Sequence, residues 1–125
     1  MFEQDYQRRF STLERLYEKE GLKRLAESHV VVIGIGGVGS WAVEALARSG
    51  VGKLTLIDLD NIAESNINRQ IHALSSTIGA SKVEEMKRRI VEINSACEVE
   101  VIEDFLTEDN LNHYLTLDRK KAWIL

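Results

Sequence analysis

The sequence predicts an α/β fold, a parallel sheet covered by helices on both faces, and three observations predict it. Short apolar or alternating runs recur at Val30-Val-Val-Ile33, at Lys53-Leu-Thr-Leu-Ile-Asp58 and around Val99 and Val101. Helical periodicity fills the stretches between them. A glycine fingerprint, Gly34-Ile-Gly36-Gly37-Val-Gly39, stands where the first run meets the first helix. Together they describe the first, nucleotide-binding half of a Rossmann-like doubly wound sheet, preceded by an N-terminal helical region.

Residues 1–28 form that helical region, with Phe10, Leu13, Leu16 and Tyr17 on one side and a break expected near Gly21. Residues 29–117 form the Rossmann-like half-domain. Its first helix runs from about Val38 to Arg48, with Val38, Ala42 and Ala45 expected to face the strands, and Gly50-Val-Gly52 closes it. After the second strand comes a polar loop over residues 60–80. Ser81-x-x-Glu84 is a capping-box signal, and Val83, Met86, Ile90 and Ile93 mark the core side of the helix that it opens, to about Asn94. Beyond the third strand, Thr107 caps a short helix to about Leu115. Residues 118–125 read as a divergent tail.

An apolar strand that ends in a glycine turn aims the next helix N-terminus, with its unpaired N–H groups, at phosphate. Gly34 permits the tight turn, Gly36 lets the backbone approach a ligand, and Gly39 lets the helix pack close to the sheet. Asp58 lies 22 residues beyond Gly36, at the end of the second strand, where a ribose hydroxyl would bind.

A nicotinamide dinucleotide carries two phosphate charges and needs little more than this. ATP needs further cations. Arg69 shortly after the second strand and Lys82 at the start of the next helix both fall toward the glycine end of the sheet. Arginine supplies a fork for phosphate and lysine a compact charge, while Asn66 and Asn68 add neutral donors and acceptors.

The segments Gly34-Ile-Gly-Gly-Val-Gly-Ser-Trp41, Leu56-Ile-Asp-Leu-Asp60 and Asn66-Ile-Asn-Arg-Gln-Ile-His-Ala-Leu74 resemble the adenylation domain of the ubiquitin-activating (E1-like, ThiF-type) superfamily. Within it, Gly-Ser-Trp and Asn-Arg-Gln-Ile-His-Ala are most similar to the tRNA threonylcarbamoyladenosine dehydratases, over about Arg9 to Tyr114. The resemblance implies ATP-dependent activation of a carboxylate as an acyl-adenylate. In the dehydratases that carboxylate belongs to N6-threonylcarbamoyladenosine in tRNA, and intramolecular attack then closes a ring and releases AMP.

Carried over by motif, Gly34, Gly36, Gly37 and Gly39 hold the nucleotide, with Asp58 on the ribose and Asp60 beside it. Asn66, Arg69 and Lys82 hold the triphosphate, and fixed cations there favour attack at the α-phosphorus. Arg9, in an Arg-Phe pair, resembles the arginine that members lend to a neighbouring subunit's ATP, which implies a homodimer; Arg8 beside it is the alternative. The family also implies Mg2+, bound by an aspartate after a further strand. Here the chain reads Leu117-Asp-Arg-Lys-Lys-Ala-Trp-Ile-Leu125, without an Asp-x-x-Asp, and is expected to be a truncated or frame-shifted form with weak activity or none.

Composition sets outer bounds. The chain has 125 residues, 44% of them hydrophobic, enough for one domain. It has no run of about 18 apolar residues to span a bilayer, and Met1-Phe-Glu-Gln-Asp5 lacks a signal-peptide pattern, so no membrane partner and a cytoplasmic location are expected. A net charge of −4 argues against a broad nucleic-acid surface and against DNA. The tRNA partner follows from the resemblance alone, because Lys87-Arg-Arg89 and Arg119-Lys-Lys121 are local patches.

The single cysteine, Cys97, excludes an intramolecular disulfide and a multi-cysteine zinc site, and reads as a structural thiol rather than an acyl carrier. His29, His72 and His113 share no metal-ligand spacing, and His72 reads as part of the turn after the phosphate cluster. Three other functions stay open: adenylation of a sulfur-carrier protein, a non-catalytic nucleotide-binding or dimerising remnant, and a nicotinamide-dependent oxidoreductase.

Overall fold

The computed structural model describes residues 2–116 and 123–125. Helix α1 (Phe2–Phe10), a 3-10 turn (Ser11–Leu13) and α2 (Glu14–Glu27) lead into β1 (His29–Ile33), α3 (Gly39–Arg48) and β2 (Lys53–Ile57). A 3-10 turn (Glu64–Asn66), α4 (Lys82–Ile93), β3 (Glu98–Ile102), α5 (Glu108–Thr116) and β4 (Trp123–Ile124) follow. The strands form one parallel sheet in the order β3-β2-β1-β4. In this order the direction of winding reverses between β1 and β4, and ligands of such sheets bind at the carboxyl ends of the strands beside that reversal.

The register is continuous, with His29 opposite Lys53 and Lys53 opposite Glu98. Val30, Val32, Leu54 and Leu56 meet Val43 and Ala47 of α3 and Val83, Met86 and Ile90 of α4 in one buried cluster. The α4 face follows the sequence pattern, and Ser81 Oγ accepts the Glu84 N–H at 3.3 Å as its cap. Thr107 Oγ1 accepts the Asn110 N–H at 3.3 Å and caps α5 in the same way.

Three expectations are corrected. The buried face of α3 carries Ser40, Val43, Glu44 and Ala47, whereas Val38 and Ala45 are exposed. The cause is Gly39, where a Cβ would lie 1.7 Å from Gly34 O, so residues 39, 43 and 47 follow one line into the core. Glu44 joins that face because Arg89 Nε and Arg48 Nε donate to it at 2.6 and 2.8 Å.

The N-terminal helical region breaks at Glu18, at φ 62, rather than at Gly21. Gly21 instead permits a close approach, since a Cβ there would stand 2.7 Å from Tyr17 Cβ. With the break at Glu18, Leu16 and Tyr17 turn outward, while Phe10 is buried and Tyr6 Oη donates to Gly50 O at 2.8 Å.

The end of the chain, read as a tail, returns to the sheet. Trp123 and Ile124 pair with Val30 and Val31, the Leu125 N–H donates to Val31 O at 2.8 Å, and Leu125 O accepts the Ile33 N–H at 3.0 Å. An apolar segment here supplies partners to an otherwise open edge of β1. The Arg119-Lys-Lys121 patch lies outside the described residues.

Candidate nucleotide site

At the carboxyl end of β1 the chain turns at Gly34, whose φ of 84 is the left-handed region that glycine enters without steric cost. The Gly34 N–H donates to Ile57 O at 2.9 Å, which joins the ends of β1 and β2. The loop then crosses to Gly39, where the 1.7 Å approach to Gly34 O admits no side chain. At Gly36 and Gly37 a Cβ would meet nothing nearer than 3.6 Å, so these positions leave room above the loop.

Asp58 lies just beyond β2, and both of its oxygens are engaged. Oδ2 accepts the Ile35 N–H at 2.7 Å and Oδ1 accepts the Asp60 N–H at 2.9 Å. A carboxylate has about four acceptor positions, so two remain for a hydroxyl. Gly34, Asp58, Asp60, Asp104, Phe105 and Leu106 help to line a cleft of about 220 Å³ at this end of the sheet. A larger cleft, of about 600 Å³, lies between residues 71–77 and α4 and contains neither the glycine loop nor Asp58.

The polar cluster folds back over the loop. Carbons of the Arg69 side chain come within 3.6 and 3.7 Å of where a Gly37 Cβ would stand. The Arg69 guanidinium donates to Ser65 O and Asn68 Oδ1, both at 3.1 Å, while its carbonyl accepts the Trp41 Nε1–H at 2.8 Å. Asn66 is buried, and its Oδ1 accepts the Ala63 N–H at 2.9 Å, so its carbonyl side shapes the loop. Lys82 opens α4; its N–H donates to Asp60 O at 3.2 Å, and the residue is only 6% exposed.

Arg9 is elsewhere. Its NH1 donates to Glu92 O and Ile93 O at 2.8 and 3.1 Å, at the carboxyl end of α4, whereas Lys82 is at the amino end. A 12-residue helix is about 18 Å long, so the two ends of α4 serve different places. The structure thus gathers the four glycines, Asp58, Asp60, Asn66, Arg69 and Lys82 at one end of the sheet and sets Arg9 apart.

A model described as the ThiF family matches residues 6–121. The chain belongs to the ThiF family. The tRNA threonylcarbamoyladenosine dehydratase of Haemophilus influenzae is 54% identical over 111 residues, 89% of this chain and 42% of that protein. The crystal structure of the Escherichia coli tRNA N6-threonylcarbamoyladenosine dehydratase in complex with AMP superposes with a TM-score of 0.88 at 49% identity, covering 90% of this chain and 46% of that one. The structure of the same E. coli enzyme in complex with ATP gives 0.87 at 50% identity, over 89% and 46%. The chain spans a little under half the length of these relatives.

Two residues of this ThiF-family site had been given no part in ligand binding. Gln70 and His72 are buried beneath the glycine loop, with Gln70 Nε2 3.6 Å from a Gly36 Cβ position and His72 Nε2 2.8 Å from Ile35 O. Among the described residues Gln70 Oε1 and His72 Nδ1 have no hydrogen-bond partner. Both residues stand in the Asn-Arg-Gln-Ile-His-Ala segment, but nothing in their spacing tells a turn residue from a support of the loop.

Cys97 is buried as expected, and burial pushes its thiol up to about 12, far from a nucleophile at neutral pH. His29 Nε2 is 2.7 Å from Thr55 Oγ1. Among the described residues no three His, Cys, Asp or Glu side chains converge on a metal site, and no helix is long and apolar enough to cross a membrane.

Proposed function

We infer that the site binds ATP and, in the whole protein, activates a carboxylate by adenylation. The observation that carries this reading is a pair of cations at the glycine-loop end of the sheet: Arg69 lies against Gly37, and the buried Lys82 opens α4 beside Asp60. A dinucleotide pyrophosphate gives this pair little to do, whereas a triphosphate gives both a partner.

In this reading Asp58 binds a ribose hydroxyl, the Gly36 and Gly37 amides face the phosphates, and Asp60 and Asn66 shape the rim. Arg69 and Lys82 offset the charge that develops as a carboxylate oxygen attacks the α-phosphorus and pyrophosphate leaves. The complexes of the E. coli relative with AMP and ATP support the choice of nucleotide. A magnesium ion supplies further charge neutralisation for pyrophosphate; such an ion keeps several waters and needs only one or two carboxylates beside the phosphates, and no residue of this chain is assigned to it.

The substrate that the relatives support is N6-threonylcarbamoyladenosine in tRNA. Its activated carboxylate undergoes intramolecular attack, which closes a ring with loss of AMP. Arg9, held by the Glu92 and Ile93 carbonyls away from this chain's own glycine loop, is assigned to a neighbouring subunit's ATP by the family resemblance, and a homodimer goes with that assignment. The reading also carries a cytoplasmic location. Lys82→Met tests its core: the variant should bind ATP at least tenfold more weakly than the parent chain while keeping its adenosine affinity, since hydrogen bonds to charged groups contribute about 1.5 to 3 kcal/mol. An unchanged ATP affinity would remove Lys82 from the site.

A further inference from the structure

The geometry points to His72 as a positioning residue that aims the Gly36 N–H at the nucleotide phosphates through the Ile35–Gly36 peptide. His72 is 4% exposed, and its Nε2 lies 2.8 Å from Ile35 O. A carbonyl oxygen only accepts, so Nε2 carries the proton and Nδ1 is the bare nitrogen. That Nδ1 is buried and has no partner among the described residues, which is compatible with the neutral ring and costly for a protonated one. Thr77 Oγ1 donates to His72 O at 2.6 Å and holds the histidine backbone in place.

The rest is peptide geometry. No peptide in the described chain is cis, so the Ile35 carbonyl and the Gly36 N–H lie in one plane and point in opposite directions. By drawing Ile35 O inward, His72 turns the Gly36 N–H outward, and among the described residues that N–H has no acceptor. The preceding peptide is fixed from the other side, where Asp58 Oδ2 takes the Ile35 N–H at 2.7 Å. Ile35, wholly buried between two glycines, is therefore gripped at both its N–H and its C=O. The glycines on either side are free to rotate, and this grip removes that freedom at the point where an anion needs a preoriented donor. The charged groups facing the ring are Lys82 and Glu85 of α4 and Asp58 beyond β2, and Lys82 disfavours a second positive charge there.

This inference rests on the ATP reading, and its test separates the two. His72→Phe fills the space but donates no hydrogen bond, whereas His72→Gln can place its own Nε2–H near Ile35 O. In titrations with ATP and with adenosine, His72→Phe should lose about tenfold in ATP affinity, the size of one hydrogen bond near its upper range, with adenosine unchanged. His72→Gln should recover most of the loss. Equal losses for both ligands, or no recovery in a folded His72→Gln, would reduce His72 to a core residue and overturn the inference while the ATP reading stands. If neither variant folds, amide NMR of the parent chain decides: added ATP should shift the Gly36 N–H much more than the Ile35 N–H, and an unmoved Gly36 signal would overturn the role. A parent chain that binds no ATP would overturn both.

Discussion

The Ile35 N–H donates to Asp58 Oδ2 at 2.7 Å, so the acid expected at the ribose also ties the end of β2 to the glycine loop after β1. Its second oxygen holds the Asp60 N–H. Asp58→Asn keeps the size but replaces one acceptor by a donor that faces an N–H. The variant should lose about 1 to 3 kcal/mol of stability, read by urea denaturation, as well as affinity for adenosine. An adenosine loss without a stability loss would confine Asp58 to the ligand.

Glycine positions should separate into two kinds. Gly39→Ala places a methyl 1.7 Å from Gly34 O, and Gly52→Ala places one 1.8 Å from Ala26 O; both contacts are with backbone. Each should cost roughly 1 to 3 kcal/mol or more in thermal or urea unfolding. At Gly37 the nearest atom is the flexible Arg69 side chain at 3.6 Å, so Gly37→Ala should fold normally and weaken ATP alone.

Arg69→Ala should weaken ATP far more than adenosine, by about 1.5 to 3 kcal/mol, if its guanidinium meets phosphate. Its bonds to Ser65 O and Asn68 Oδ1 give it a structural alternative. Equal losses for the two ligands would favour that alternative.

Two groups should shape stability against pH. Burial holds the His72 imidazole below its ordinary 6.5, against the raising effect of the Ile35 carbonyl. The unfolded chain therefore takes up this proton first, and stability should start to fall as pH drops through about 6.5 and continue down to the folded value. For Glu44, burial raises the carboxyl but hydrogen bonds and charge from Arg89 and Arg48 outweigh it, leaving it below 4.5. That contribution is present above 4.5 and is lost as pH falls through the lower folded value. Urea midpoints measured from pH 8 down to about 2 should show both steps, the upper one absent in His72→Phe and the lower one in Glu44→Gln.

Much of this fold is legible in the sequence because its strands are short and its helix signals local: the Ser81 cap, the α4 stripe and the fingerprint appear where expected. The face of α3 was not legible. Val38 and Ala45 look like core residues but are exposed, and Glu44 is buried, because of the Gly39–Gly34 contact and the guanidinium of Arg89, 45 residues away. The same holds for His72, whose partner Ile35 is 37 residues distant. Non-local partners decide these positions, and periodicity carries no information about them.

β4 is an edge strand with Trp123, Ile124 and Leu125 exposed. An apolar edge of this kind invites pairing with another chain, so this 125-residue chain should self-associate with rising concentration in light scattering. Ile124→Lys should suppress that association. A parent chain that stays monomeric across the range would show that the edge is already covered.

The central claim is that the cations beside the glycine loop select a triphosphate. Equilibrium titration of the chain with ATP and with NAD under the same conditions tests it most directly. ATP should bind more tightly, and the advantage should shrink in Arg69→Ala and Lys82→Met; tighter binding of NAD by the parent chain would contradict the account.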